Sequence, residues 1–412
     1  MFYFCEECGS KIAIEQDKKD RALPAQCRVC GEFLHLQSAA ADCPADSLAS
    51  AKRTINIMIV DDSRLMRRAV RQIFDQTPFL HIAGEAENGA MALELLPRLK
   101  PDVITLDINM PVMDGLTALK HIMIQNPTPT VMFSTLTRAG SAAAFRALQY
   151  GAVDVMEKPS QVANSGIDAQ FQDIVCKVAL AADVSVEAIR YIRNPAGDKP
   201  AEGFAAIPCD QLVTIGAAEG GFGSLLKVIP HLRPDTTAAY LGLLYADSRH
   251  VDEFTAYLDK LSPVRVRRAK NGAPLNCGEC LLAASGEYVT VERRNDIPVL
   301  RVEPAPFASQ RGAINMLMFS AVETFRHRTI GVVLSGMGRD GQEGIREINR
   351  NNGFAFIQDP STCLYKEMAS SIIAQPHGCT VATDSQLAAF INTRTDTAQA
   401  DVGQAEYAVT AN

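Results

Sequence analysis

The strongest constraint on the fold is an alternation of short apolar segments with amphipathic segments between residues 55 and 160. The apolar segments read INIMIV, HIAGEA, DVITLD, TVMFST and AVDVME, and helix-like segments such as RLMRRAVRQIF and MALELLPRLK separate them. Repeated strand–helix units of this kind form a parallel sheet with helices on both faces. This part of the chain therefore predicts an α/β domain with a doubly wound parallel sheet.

A second alternation of the same kind predicts a second doubly wound α/β domain. Its strand candidates read QLVTIGA, AAYLGLLYA, CLLAAS, TIGVVLSG and GFAFIQ. A segment rich in Pro, Gly and charge separates the two domains, as interdomain linkers do. The predicted layout is a metal-binding segment at 1–37, a linker at 38–54, the first α/β domain at 55–175, a linker at 176–208, the second α/β domain at 209–393 and a disordered tail at 394–412.

Composition excludes several classes of function. The chain of 412 residues has a formal net charge of −7 and no long basic run, so we expect no nucleic-acid partner. No apolar segment reaches the ~18 residues of a membrane span, and the amino terminus carries charges and cysteines instead of the apolar core of a signal peptide. The 11 cysteines then favour a reducing, cytoplasmic location, in which thiols serve as metal ligands or core residues and not as disulfides.

Two cysteine pairs near the amino terminus have the spacing of a structural zinc site. Cys5 and Cys8 form one pair, Cys27 and Cys30 form the other, and a glycine follows each pair. Four thiolates complete a tetrahedral site with no open position, and so small a segment needs a metal in order to fold. We therefore expect a zinc ribbon with one structural Zn²⁺; free thiols or a redox pair are the alternative.

Polar residues follow four strands of the first α/β domain. Asp61 and Asp62 follow the first strand, Asp107 ends the third, Ser134 lies at the end of the fourth, and Lys158 follows the fifth. Ligands of open parallel sheets gather beyond the carboxyl ends of the strands, so these side chains are expected to meet. Three carboxylates call for a divalent cation such as Mg²⁺, after which Asp107 can attack phosphorus while Ser134 and Lys158 hold phosphoryl oxygens. The alternative is that the acids are merely solvated.

The motifs IVDDS, DVITLDINMPVMDGL, FSTLT and EKPS resemble the receiver domain of two-component response regulators. The resemblance covers residues 55–160 and implies that a histidine kinase phosphorylates Asp107. It also implies that Asp62 and Asp107 bind the metal directly, that Asp61 lies behind them, and that the Asn109 carbonyl completes the set.

Val155 departs from the receiver pattern. Three residues before the lysine, such domains usually carry an aromatic ring that swings inward on phosphorylation. A β-branched side chain has few rotamers and no ring to swing. Phosphorylation is expected to survive this change, whereas the mode of signal output is left open.

The stretch IGAAEGG reads as a strand end and a tight turn before a helix, the setting in which hydrolases present a nucleophile, yet it holds no Ser, Cys or Thr. Together with GVVLSGMGRDGQEG and IQDPSTCLYKEM, it is similar to the catalytic domain of chemotaxis protein-glutamate methylesterases, in which a receiver domain comes first. That family hydrolyses receptor glutamyl methyl esters and deamidates receptor glutamines with a Ser-His-Asp triad. Asp340 matches the triad Asp, but Ala218 stands at the Ser position and either Tyr245 or Ala246 at the His position.

The missing triad members leave two hypotheses. Losing a triad Ser or His costs about six orders of magnitude in kcat, so the leading hypothesis is a non-catalytic, phosphorylation-responsive regulator. It would bind methyl-accepting receptors, compete with an active methylesterase or act as a phosphate sink, and its zinc ribbon would dock a protein. The competing hypothesis is an esterase or deamidase with a rearranged site around Asp340. None of three nearby residues is expected at the nucleophile turn: Ser224 lies one turn into a helix, Ser248 follows the strand YLGLLYA by a few residues, and His250 is expected in a solvated loop.

The second glycine loop satisfies the pattern of a dinucleotide site. Gly336, Gly338 and Gly341 read G-x-G-x-x-G, and Asp359 lies eighteen residues beyond them. This fingerprint belongs at the first strand–helix turn of a domain, whereas the loop here comes late. We therefore expect no dinucleotide at this loop.

Overall fold

The computed structural model describes residues 2–4, 11–13, 25–26, 33–34, 53–134, 138–159, 167–185, 207–304, 312–375 and 378–396. The chain divides into two compact units, one of Ser38–Arg193 and one of Met1–Gln37 together with Asn194–Asn412. Each unit is described separately below.

Two short antiparallel strand pairs lie near the amino terminus. Strand β1 (Phe2–Phe4) pairs with β2 (Lys11–Ala13), and β3 (Ala25–Gln26) pairs with β4 (Phe33–Leu34). The four cysteines of the predicted zinc ribbon lie outside the described residues, as do most residues of the linker predicted at 38–54.

A five-stranded sheet forms the centre of the unit Ser38–Arg193. Its strands are β5 (Ile55–Val60), β6 (Leu80–Ala86), β7 (Val103–Asp107), β8 (Thr130–Ser134) and β9 (Asp154–Glu157). They lie in the order β6-β5-β7-β8-β9, and every pair is parallel. All residues of β7 and β8 are buried, as expected for strands covered by helices on both faces. The predicted doubly wound parallel sheet is therefore confirmed.

The helices of this unit follow the strands as the sequence pattern predicts. They are α1 (Arg64–Asp75), α2 (Gly89–Leu99), α3 (Gly115–Gln125), α4 (Arg138–Gln149) and α5 (Ile167–Ala182). Side chains of Ser63, Asn88 and Asp114 cap the first three helices by accepting a backbone N–H one turn later. The boundary predicted at residue 175 falls inside α5, which continues to Ala182 because its last turns are buried.

A seven-stranded parallel sheet forms the centre of the other unit. Its strands are β10 (Gln211–Ala217), β11 (Ala238–Leu244), β12 (Arg265–Arg268), β13 (Glu279–Ala284), β16 (Thr329–Val333), β17 (Phe354–Gln358) and β18 (Thr380–Ala382). They lie in the order β12-β13-β11-β10-β16-β17-β18. The five strands predicted from the sequence correspond to β10, β11, β13, β16 and β17, whereas β12 and β18 at the sheet edges are additional.

An antiparallel hairpin lies outside this sheet and was not predicted. It consists of β14 (Glu287–Arg294) and β15 (Ile297–Pro304), joined by Asn295 and Asp296 with positive φ angles of 51° and 65°. Both turn residues tolerate the left-handed conformation that a two-residue hairpin turn requires.

Six helices of the described chain surround the seven-stranded sheet. They are α6 (Gly221–Val228), α7 (Ser248–Leu261), α8 (Ala313–Phe325), α9 (Gln342–Arg350), α10 (Glu367–Ile373) and α11 (Asp384–Thr395). Helix α8 is the most central, with eleven of its thirteen residues buried. Helix α11 runs past the boundary predicted at residue 394, because Thr395 is fully buried.

The cysteines agree in part with the expectation of reduced thiols. Free thiols are present at Cys209, Cys277, Cys280, Cys363 and Cys379. Cys176 in α5 is disulfide-bonded, so the expectation is wrong at that position. Across the described residues, no helix combines the length and apolar character that a membrane crossing needs.

Candidate functional site

The acids predicted to meet at the carboxyl edge of the five-stranded sheet lie together. Ligand atoms of Asp61, Asp62 and Asp107 all lie within 4.8 Å of one another. Asp61 and Asp107 are buried, whereas Asp62 is exposed to solvent. The loop after β7 packs tightly here, since a Cβ at Gly115 would lie 2.0 Å from the Asp107 carbonyl oxygen. Glycine at this position therefore lets α3 begin directly beside Asp107.

Lys158 connects the two buried carboxylates. Its Nζ lies 2.8 Å from Oδ2 of Asp61 and 2.7 Å from Oδ2 of Asp107. Burial raises the pKa of the Asp107 carboxyl, although the hydrogen bond from Lys158 lowers it. Burial also disfavours the charged form of Lys158, but hydrogen bonds to Asp107 and Asp61 outweigh burial and raise its pKa. The lysine therefore remains an ammonium that orients both carboxylates.

The other residues considered for this site lie on β8, on β9 or directly after β7. Ser134 ends β8 and is buried, and its carbonyl accepts the backbone N–H of Lys158 at 3.0 Å. The backbone N–H of Asn109 donates to Oδ1 of Asp107 at 3.4 Å. Val155 is partly buried in β9, where it pairs with Met132 of β8. The site thus holds a carboxylate, an ammonium and a hydroxyl on neighbouring strand ends.

This donor set suits a hard divalent cation. Mg²⁺ takes oxygen ligands and keeps several of its waters, and the three carboxylates offer oxygen on a solvent-open side at Asp62. Lys158 already balances part of the charge of Asp61 and Asp107. The residues present fit a magnesium ion, and the individual ligand roles of Asp61, Asp62, Asp107 and Asn109 stay predictions.

A second candidate site lies where the strand order of the seven-stranded sheet reverses. Strand β10 has β11 on one side and β16 on the other, and later strands extend the sheet in both directions. Loops that follow such neighbouring strands diverge and leave a crevice for a ligand. Ala218 follows β10, and Asp340 lies in the loop after β16. The chain therefore places Ala218 and Asp340, the positions predicted for the triad Ser and Asp, at the expected crevice.

The turn after β10 has the tight geometry of a nucleophile turn. Gly220 has a φ angle of 73°, which glycine adopts without strain, and Gly221 donates its N–H to the Ala218 carbonyl at 2.8 Å. Ala218 is 2% exposed and belongs to the hydrophobic core of this unit. A Cβ at Gly336 would lie 2.7 Å from the Ala218 methyl group. The predicted nucleophile position thus holds a buried methyl group.

The Asp340 carboxylate accepts four hydrogen bonds. Oδ2 accepts the hydroxyl of Tyr245 and the N–H of Ile314 at 2.9 Å. Oδ1 accepts the N–H of Asn315 at 3.0 Å and that of Gly341 at 2.8 Å. Ile314 and Asn315 belong to the first turn of α8, where a negative charge is favoured by free N–H groups and the helix dipole. Asp340 therefore anchors the amino terminus of α8.

Of the two candidates for the triad His position, Tyr245 is the one that contacts Asp340. It lies directly after β11, and its hydroxyl bonds the carboxylate that a triad histidine would contact. Burial raises the pKa of Tyr245 well above its ordinary value, and the charge of Asp340 adds to this shift. Burial likewise raises the pKa of Asp340, against the lowering effect of the hydrogen bond from Tyr245. The phenol of Tyr245 is therefore neutral and donates to Asp340, and three backbone N–H donors favour the carboxylate form of Asp340.

The residues considered as substitutes lie elsewhere. Ser224 is buried in α6, as expected, and Ser248 opens α7. His250 lies in the first turn of α7, so its predicted loop position is wrong. Within the described residues, none of the three is a side-chain partner of Asp340.

Sequence reasoning missed the role of Glu219. Its Oε2 accepts the backbone N–H of Met337 at 2.8 Å, and Oε2 of Glu367 accepts that of Gly338 at 3.0 Å. Two carboxylates thus bind the loop that carries the dinucleotide pattern. Their negative charges would repel a pyrophosphate. Asp359 instead accepts the N–H of Ser361 and caps a short helical turn. The only signal in the sequence was an acid directly after the nucleophile position.

Comparison with known proteins matches both α/β domains. Residues 57–165 match the response regulator receiver domain, and residues 213–391 match the CheB methylesterase domain. A Pyrococcus horikoshii protein named protein-glutamate methylesterase/protein-glutamine glutaminase is 35% identical over 324 residues, which is 78% of this chain and 88% of the relative. A Symbiobacterium thermophilum protein of the same name is 32% identical over 334 residues, which is 78% of this chain and 92% of the relative.

A solved structure also aligns with the first domain. The response regulator domain of Thermotoga maritima CheB is 39% identical and covers 32% of this chain and 99% of that chain, with a TM-score of 0.30. Taken with the relatives that match along most of their length, the receiver and methylesterase domains identify this chain as a member of the protein-glutamate methylesterase/protein-glutamine glutaminase family.

Proposed function

We propose that this chain is a cytoplasmic, phosphorylation-responsive regulator whose methylesterase domain binds its target without hydrolysing it. The observation that carries the proposal is the replacement of two reacting groups at the crevice. Ala218 occupies the nucleophile turn, and Tyr245 occupies the position against Asp340 where a general base would act.

Neither replacement supports ester hydrolysis. The methyl group of Ala218 has no lone pair with which to attack a carbonyl. A general base at neutral pH needs a pKa near 7, which imidazole supplies at about 6.5. The raised pKa of Tyr245 keeps its phenol protonated and its proton directed at Asp340. Tyr245 therefore cannot accept a proton from an attacking group, and four hydrogen bonds already engage the oxygens of Asp340.

The retention of Asp340 has a structural reason that is independent of catalysis. Its carboxylate satisfies two N–H groups at the start of α8 and one in its own loop. Removing it would leave buried donors without an acceptor, which costs about 1–3 kcal/mol for each group. A chain that had lost catalysis would therefore still gain stability from this residue.

The receiver site supports the phosphorylation part of the proposal. Asp107 would accept a phosphoryl group from a histidine kinase, with Lys158 compensating the new charge and Ser134 donating to a phosphoryl oxygen. Mg²⁺, when bound, would offset the charges of the carboxylates and the phosphoryl group. Labelling with a small phosphodonor should add one phosphoryl group that Asp107→Asn abolishes, and persistent labelling of that variant would refute the assignment.

The zinc ribbon is also proposed. One cysteine pair lies in sequence between β1 and β2, and the other lies between β3 and β4. Two antiparallel strand pairs, each connected through a cysteine pair, are consistent with a four-cysteine ribbon. Metal analysis of the purified chain should find about one zinc per chain, and a folded but metal-free amino terminus would end this claim.

A receptor-binding experiment distinguishes a non-catalytic regulator from an active enzyme. The relatives are named as enzymes, and Asp340 is present, so the second candidate function is methyl ester hydrolysis or glutamine deamidation by a rearranged site. The purified chain should cosediment with membranes that carry methyl-accepting receptors, to an extent that a phosphodonor changes, while the methylation level of the receptors stays constant. Loss of receptor methyl groups during this incubation would favour the second candidate.

A further inference from the structure

The turn that carries Ala218 and the loop that carries Asp340 are bound together through an acid. Glu219 accepts the backbone N–H of Met337 at 2.8 Å, and the Ser335 hydroxyl donates to the Glu219 carbonyl at 2.9 Å. Glu219 is only partly buried. An acid residue adjacent to the nucleophile position thus occupies a backbone donor of the neighbouring loop.

The occupied donor lies beside the former reaction centre. The Ala218 N–H donates to the Ser335 carbonyl at 3.0 Å, and Gly336 packs against the Ala218 methyl group. Met337 is the next residue along this loop. Acyl-transfer sites stabilise the oxyanion with backbone N–H groups next to the nucleophile, and the loop places such a group there.

We propose that the Glu219 carboxylate occupies the backbone N–H of Met337. This N–H is then not free to stabilise the negative charge that develops on the substrate oxygen during ester hydrolysis. The proposal deepens, and rests on, the proposed loss of catalysis. It adds a second barrier that is separate from the missing nucleophile and base. Restoring Ser and His alone would therefore leave the crevice unable to stabilise a tetrahedral oxyanion.

The charge distribution supports this role. Asp340 lies in the same loop, and Glu367 binds the adjacent N–H of Gly338 at 3.0 Å. A developing oxyanion would have to displace the Glu219 carboxylate from a charge-assisted hydrogen bond.

The test compares restored variants of the full chain with and without Glu219. Ala218→Ser combined with Tyr245→His is measured alone, with Glu219→Ala, and with Glu219→Gln, using p-nitrophenyl acetate hydrolysis. We expect the double variant to stay at background and the Glu219→Ala triple variant to be about 10²–10³-fold faster, the effect of one oxyanion donor. The Gln variant still accepts from Met337 and should lie between them. Adding Glu253→Ala, on helix α7, to the double variant is the matched control and should change nothing.

A double variant as active as the Glu219→Ala triple variant would overturn the proposal. Amide hydrogen exchange on the single variant Glu219→Ala decides the matter if the restored variants do not fold. Exchange of the Met337 N–H should be at least about tenfold faster than in the unmodified chain, as loss of a charge-assisted bond predicts, and unchanged exchange would also overturn the proposal. Ester turnover by the unmodified chain would refute the proposed function without altering this exchange result, so the two failures are distinguishable.

Discussion

The hydroxyl of Tyr245 donates to the carboxylate of Asp340, and the same carboxylate accepts two N–H groups from the first turn of α8. One acid thus joins the end of β11, the loop after β16 and the start of the most buried helix. A contact of this kind stabilises the fold whether or not the crevice performs chemistry. Stability measurements at Tyr245 should therefore reveal a structural role.

Replacing Tyr245 with Phe should destabilise the methylesterase domain by about 1.5–3 kcal/mol, because the partly buried carboxylate of Asp340 loses a donor. Tyr240→Phe is the matched control, since its hydroxyl donates to the neutral carbonyl of Arg233 at 3.1 Å and should cost about 0.5–1.5 kcal/mol. Urea unfolding of both variants in the full chain makes the comparison. Equal costs would mean that the Tyr245–Asp340 contact adds no more than an ordinary hydrogen bond.

The raised pKa of Tyr245 predicts a dependence of stability on alkaline pH. The folded chain holds a phenol proton that the unfolded chain releases above a pH of about 10. Stability from this group is therefore complete below that pH and is lost as the pH rises toward the folded-state pKa. The chain has nine tyrosines and no tryptophan, so tyrosinate absorbance reports the titration directly.

The comparison is between the unmodified chain and Tyr245→Phe. Both should show the same tyrosinate absorbance while they remain folded, and the unmodified chain should gain one additional tyrosinate only on unfolding. Additional absorbance from the folded, unmodified chain near pH 10 would show that Tyr245 titrates normally.

Replacing Lys158 with Met should make the stability of the receiver domain more dependent on magnesium. The change leaves the buried carboxylates of Asp61 and Asp107 without their ammonium, at a cost of about 3–5 kcal/mol. A divalent cation that binds only the folded site should recover more stability in this variant than in the unmodified chain. The measurement is the thermal unfolding of the full chain with and without Mg²⁺.

Lys177→Met is the control for this prediction. Lys177 pairs with Asp173 at 3.6 Å on α5, and both side chains are accessible to solvent. Its magnesium-dependent shift should equal that of the unmodified chain. If Lys158→Met shows that same shift, the three acids do not form the metal site.

Replacing Gly336 with Ala should destabilise the methylesterase domain by about 1–3 kcal/mol through overpacking. The new Cβ would lie 2.7 Å from the Ala218 methyl group and 2.6 Å from Cε of Met368. Gly286→Ala is the matched control, because nothing lies within 4 Å of its added Cβ. Adding Ala218→Gly should recover part of the loss, and no recovery would mean that Met368 alone causes the strain.

The sequence predicted most of the two sheets because their strands are continuous apolar runs. Strands β7 and β8, for example, are buried along their full length. The hairpin of β14 and β15 was missed because both strands carry many charges, as in EYVTVERR. The edge strand β18 has three residues, two of them exposed, and gives too short a pattern to recognise.

The two candidate sites differ in how far the sequence defined them. Acids at strand ends predicted the cluster of Asp61, Asp62 and Asp107, because parallel strands bring those ends to one edge. The choice between Tyr245 and Ala246 depended on where β11 ends, and strand boundaries are not fixed by an apolar pattern alone. The contact between Glu219 and Met337 joins positions 118 residues apart, so no local pattern could reveal it.

Methanol release from methylated receptors, with the purified full chain and an active relative assayed in parallel, tests the central claim most directly. The claim predicts that the unmodified chain releases no methanol above the rate without protein, whether or not a small phosphodonor is present. Release that a phosphodonor stimulates, and that Asp340→Ala abolishes in a chain that still folds, would contradict it.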